Sequence, residues 1–143
     1  MNSKMIIAAV VGAISAFLLG YVVWGMLLTG YFQENTYQYE GMMLPEAEFK
    51  LWAIFLSNLA NAILYAWLFN RMNVTSFGSG FQIGAIINLL FSFGLVMMFY
   101  SMMNWYKGPA VMVVELVVNS LFGGVIGGII ALVLGMGRSA KTA

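Results

Sequence analysis

The chain has 143 residues, 62% of them hydrophobic and 8% charged, with a net charge of +1; an average soluble domain is about a quarter charged and about half apolar. So much apolar surface cannot be hidden in a water-soluble core of this length, and the apolar runs lack the polar face of a soluble bundle helix, so the expected solvent is lipid. The six basic residues are scattered singly, which excludes the Lys/Arg footprint of a nucleic-acid binder.

Four apolar segments define a single membrane domain over 1–143, with spans of about 5–28, 49–69, 81–103 and 110–136. Each is close to or above the ~20 helical residues needed to cross a ~30 Å hydrocarbon core. The alternation of a membrane barrel strand is absent. The sequence therefore predicts an all-α membrane protein, a four-transmembrane-helix up-down bundle. The first segment, Met5 to Leu28, exceeds the roughly 7 to 15 apolar residues of a signal peptide and ends in Thr29-Gly30-Tyr31-Phe32 rather than a cleavage site; it reads as a span.

The first connection, 29–48, gathers Glu34, Glu40, Glu46 and Glu48 with Tyr31, Phe32, Tyr37 and Tyr39, an acidic and aromatic mixture suited to the headgroup zone. Pro45 followed by Glu46 and Glu48 is a helix-start signal, so the second span is expected to begin there. The second connection, Asn70 to Gly80, contains Arg71 and a flexible-looking Ser76-Phe77-Gly78-Ser79-Gly80 run, and the third, Asn104 to Pro109, is shorter still. Short links favour antiparallel neighbours. Lys4, Arg71, Arg138 and Lys141 fall on one side of a four-span layout and Lys50 and Lys107 on the other. The positive-inside bias puts both termini and the tail, 137–143, in the cytoplasm.

Glu115 is the one ionisable residue inside a span, about 8 Å below the start of the fourth helix. A carboxylate there is costly unless paired, protonated or hydrated, so it is either structural, hydrogen-bonded to Asn, Tyr or Lys groups of neighbouring spans, or, as the alternative, a candidate proton or cation site. Asn119, Gly123 and Gly127 follow at intervals of four and share its stripe. Gly124 and Gly128 form a parallel pair, so the glycines are expected to admit a close helix neighbour, either a second chain or the first helix with its Gly12 and Gly20. On the second span Ser57, Asn58, Asn61 and Tyr65 form a polar stripe, and on the third Gly84, Asn88 and Ser92 do the same, while Tyr100, Ser101 and Asn104 mark its end. Interhelical hydrogen bonds are the leading reading of these stripes, and the alternative is a hydrated vestibule where Tyr21, Trp24, Ser57, Asn58, Tyr100, Asn104, Glu115 and Asn119 converge. The intramembrane polar set is thus Glu115, Asn119, Asn58, Asn61 and Tyr100.

The chain has no Cys, His or Asp. Disulfides, thiolate nucleophiles and the usual haem, zinc and general-base residues are therefore missing, and neither cofactor nor metal is expected. Twelve Met residues, among them Met97, Met98, Met102 and Met103, read as packing rather than a soft-metal site. Trp24, Trp52, Trp67 and Trp105 fall where an interfacial aromatic belt belongs.

The run Phe17-Leu18-Leu19-Gly20-Tyr21-Val22-Val23-Trp24-Gly25, a Gly-containing third span and the closing Gly123-Gly124-Val125-Ile126-Gly127-Gly128 resemble a family of bacterial four-span membrane proteins with no assigned activity. That resemblance implies an inner-membrane setting and no chemistry. Small multidrug transporters also have four spans and a membrane Glu, but theirs lies in the first helix, where this chain has none. The leading expectation is a non-catalytic membrane protein, an accessory subunit or oligomer, that packs through its Gly-rich fourth helix and acidic outer loop and whose partners are the bilayer and other membrane chains or copies of itself. The alternative is a small proton- or cation-coupled transporter using Glu115. An enzyme is disfavoured, one Glu and several Tyr being a thin catalytic inventory.

Overall fold

The computed structural model describes residues 2–136. The tail, with Arg138 and Lys141 of the charge count, lies outside the described residues. The described chain is helical, with one isolated bridge between Thr36 and Tyr106. Four helical segments are long and apolar enough to cross a membrane, Ser3–Leu27, Leu51–Met72, Phe77–Met102 and Pro109–Gly135. The protein is a multi-pass membrane protein built as an all-α bundle.

Helix α1 (Ser3–Gly20) starts at Asn2, whose side chain accepts from the Met5 amide, and runs into a π-helical segment, Tyr21–Leu27. A short α2 (Thr29–Asn35) follows. The helix-start signal at Pro45 yields only a 3₁₀ turn, Glu46–Glu48, and α3 (Leu51–Met72) begins after it. The isolated carboxylates therefore cap no long helix, and the apolar run sets where the span begins. Asn73, in the left-handed region at φ 55°, ends α3.

The Gly/Ser run read as flexible is instead the first turn of α4 (Phe77–Met102), capped by Ser76, whose hydroxyl accepts from the Ser79 amide. The second connection thus shrinks to 73–76, and α4 begins four residues before the expected 81. Pro109 occupies the first turn of α5 (Pro109–Gly135), where its missing N–H costs nothing.

Neighbours are set by small residues. Ala8, Ala9, Ala13 and Ala16 are buried along one face of α1, which lies against both α3 and α5. The widest contact joins α4 to α5. A Cβ on Gly80 would stand 2.5 Å from the Gly127 carbonyl oxygen, and one on Gly84 would strike the Gly123 carbonyl. The glycines of α5 expected against a second chain or against Gly12 and Gly20 of the first helix therefore include Gly123 and Gly127, which face Gly84 and Gly80 of α4. Backbone meets backbone there, where dispersion and weak Cα–H contacts act at close range. Gly124 and Gly128 receive the Phe81 and Phe77 rings, while Gly12 receives Ile130.

Most of the core, including Phe69, Ile126, Ile130, Ala131 and Leu134, lies in the half of the bundle nearest Lys4 and the 73–76 turn. Lys4 Nζ donates to the Met136 carbonyl at 2.7 Å across that end. A second, smaller cluster of Val96, Tyr106 and Val111 holds the other end, where the first and third connections meet.

Candidate functional site

At the loop end, two connections fold over the helices as a shallow cap. The Tyr37 amide donates to the Trp105 carbonyl at 2.9 Å and the Lys107 amide to the Asn35 carbonyl at 3.0 Å. Tyr39 adds a bond from its hydroxyl to the Asn104 carbonyl. This pairing draws Phe32, Thr36 and Trp105 over Glu115, and together with Trp24 these residues line a shallow, open-sided cavity of about 160 Å³.

Trp24 reaches the cavity because the chain is π-helical at Tyr21–Leu27. The Leu28 amide bonds the Val23 carbonyl five residues back, and Thr29 Oγ1 donates to the Trp24 carbonyl at 2.5 Å. A widened turn changes the direction of the side chains that follow it, as π-bulges do at functional sites. Trp24 packs edge-on against Phe122 of α5, with centroids 4.8 Å apart.

Glu115 is half-buried. Lys107, the nearest base in sequence, is engaged elsewhere. Its amine donates to the Glu34 carbonyl at 2.8 Å and lies 5.8 Å from the centre of the Tyr37 ring. The polar group facing the Glu115 carboxylate is the Tyr106 phenol. Tyr106 is 9% exposed and its hydroxyl has no hydrogen-bond partner among the described residues. Burial and the adjacent carboxylate hold that phenol protonated, well above the usual tyrosine range. Thr36 is already committed, its hydroxyl donating to the Phe32 carbonyl at 2.7 Å and accepting from Gln38 Nε2 at 2.9 Å.

The expected polar set does not converge. Asn119 turns away from the carboxylate, donating through Nδ2 to the Glu115 backbone carbonyl at 2.9 Å. Its own carbonyl accepts from Asn88 Nδ2 at 3.1 Å, and Asn88 Oδ1 accepts from the Tyr65 hydroxyl at 2.8 Å. This network ties α3, α4 and α5 and is separate from the cavity. Tyr100 is 65% exposed and lines a different depression, of about 520 Å³, with Tyr106, Lys107 and Met112.

The stripe read on the second span splits. Tyr65 is buried, Asn58 half-buried, and Ser57 and Asn61 exposed on the outward face of α3. Asn61 Nδ2 donates to the Ser57 carbonyl at 3.1 Å. Of the expected vestibule, Trp24 and Glu115 line the cavity; Phe32, Thr36 and Trp105, which complete the lining, and Tyr106 beside Glu115 were not among the residues expected there. Their one sequence signal is the density of aromatic residues in the connections flanking the only membrane carboxylate.

No family model, curated protein or solved structure matches the chain. What the molecule does must be argued from this geometry.

Proposed function

We propose that the protein is a small non-catalytic membrane component that associates through the outward face of α3, with a second copy of the chain as its partner. The observation carrying this reading is Asn61, ten residues and about 15 Å into α3, half-way across the span and exposed. Its amide oxygen has no partner among the described residues, and lipid offers none. Ile54, Ser57, Asn61 and Leu64 are all exposed on α3, at intervals of three, four and three, the seam of a left-handed helix pair. An amide both donates and accepts, so two Asn61 side chains facing each other across a two-fold axis satisfy one another.

The setting that fits is a bacterial inner membrane with both termini cytoplasmic. Lys4 and Arg71 then lie inside, joined in sequence by Arg138 and Lys141, against Lys50 and Lys107 outside. The test is the monomer–dimer equilibrium in liposomes, read by energy transfer between labelled copies. Asn61→Leu should weaken association about three- to thirty-fold, the value of an interhelical hydrogen bond in a bilayer. Leu90→Ala, on the exposed face of α4, should leave it unchanged. Equal association of Asn61→Leu and parent would refute the reading.

Coupled transport through Glu115 is the second reading. The cavity beside the carboxylate favours it, whereas the close Ala and Gly packing of the opposite half speaks against a path beyond it.

A further inference from the structure

We infer that the cavity beside Glu115 is a binding site for a small methylated ammonium cation. The inference rests on the second reading's premise that Glu115 takes a cation, and it concerns occupancy, whether or not that cation crosses the membrane.

The argument begins with charge. Glu115 lies six residues into α5, half-buried, and Lys107 is turned away from it toward Glu34 and Tyr37. A carboxylate so placed is stabilised by a counter-cation. The identity of that cation follows from what else lines the space. Trp24, Phe32 and Trp105 present three aromatic rings to a cavity of about 160 Å³, room for about five waters at roughly 30 Å³ each.

A metal ion is poorly served there. Sodium, magnesium and calcium need several oxygen ligands, and the Thr36 hydroxyl is used in both directions by Phe32 and Gln38. Among the described residues no group of three or more His, Cys, Asp or Glu could hold a metal. An alkylated ammonium has the opposite requirements. Its charge is spread over methyl groups that need no oxygen ligands and are attracted by ring faces, most strongly by Trp. One carboxylate supplies the neutralising charge.

The Tyr106 hydroxyl, which lines the neighbouring depression, bears on the same carboxylate. It is buried, unpartnered among the described residues and set against Glu115. Such a group usually has an occupant or donor-acceptor neighbour to satisfy it. Donation to the carboxylate once the cation has drawn it into place would supply one.

Tetramethylammonium chloride is the probe, titrated into the purified full chain against sodium chloride at equal ionic strength. Trp52 and Trp67 are changed to Phe so that fluorescence reports Trp24 and Trp105 alone. The expected result is a saturable change with tetramethylammonium that sodium does not produce. Glu115→Gln should weaken it at least ten-fold. Should Glu115→Gln fail to fold, Phe32→Leu keeps the charge and removes one ring, with an expected loss of about two- to thirty-fold. An identical response to the two salts, or unchanged affinity in the folded variants, overturns the proposal. Proton or sodium uptake by vesicles is measured in parallel. Glu115-dependent uptake without tetramethylammonium binding would overturn the ligand class while keeping the second reading, and binding without uptake would support the site while removing transport.

Discussion

Alanine at Gly80 places a methyl group 2.5 Å from the Gly127 carbonyl oxygen and 2.5 Å from the Ala131 Cβ. Ordinary contact begins at 3.4 Å, so α4 and α5 must part by about 0.9 Å. Nothing local can absorb this, because one obstacle is backbone and the other a Cβ fixed to it. Overpacking of a rigid contact costs typically about 1–3 kcal/mol, and separation here would also loosen the Gly84–Gly123 approach one turn along. Gly94, on the same helix, has nothing within 4 Å of its added Cβ, so Gly94→Ala is the matched control. Unfolding in mixed micelles of increasing denaturing detergent should show Gly80→Ala destabilised by at least ~1 kcal/mol relative to Gly94→Ala. Equal stabilities within ~0.5 kcal/mol would mean that the two helices are not in backbone contact.

Tyr65→Phe removes the donor to Asn88 Oδ1 and should cost about 0.6 to 1.7 kcal/mol in the same assay, with little further loss when Asn88→Ala is added, since the two act in one network. At high pH the Tyr106 phenol, whose ionisation is opposed in the folded state, should make the parent less stable as pH rises beyond the ordinary tyrosine pKa of about 10. Below that value the contribution is fully present, and Tyr106→Phe should flatten the decline; identical alkaline curves would show that the phenol is not sequestered. For topology, a Cys placed at Glu40 in intact cells should react with an impermeant thiol reagent and one at Ser76 should not, the reverse pattern refuting cytoplasmic termini. The native chain contains no Cys, so each signal belongs to the introduced residue.

The four spans were legible because length and apolarity alone decide which segments can cross a bilayer, and the observed bounds depart from the expected ones by a few residues. The departures have local causes. At Pro45, Glu46 and Glu48 the chain had capping chemistry but no apolar run to propagate, and at Ser76 a hydroxyl cap overrode the Gly content of the first turn. The glycines of α5 announced a close contact by their spacing. Their partner was not legible, since Gly80 and Gly84 offered the same small surface as Gly12 and Gly20, and tertiary packing made the choice.

At the site, Glu115 was visible as a lone charge in an apolar run. Its surroundings were not, because Thr36 and Tyr106 meet through a bridge seventy positions apart in sequence, and Trp24 is aimed by a π-helical turn that periodicity at 3.6 residues does not anticipate. The same periodicity grouped Asn58, Asn61 and Tyr65 on one stripe. Burial divides them, because the edge of the α3 contact surface runs between Asn58 and Asn61.

The outward face of α3 is tested most directly by cross-linking in native membranes. Single Cys residues at Ser57 and Leu64, one seven-residue repeat apart on the proposed seam, should each join two copies under mild oxidation. Single Cys at Leu90 on α4 and Val117 on α5, equally exposed, should not. Covalent dimers through 57 and 64 alone are the predicted result, and cross-linking through 90 or 117 with none at 57 or 64 would contradict association through α3.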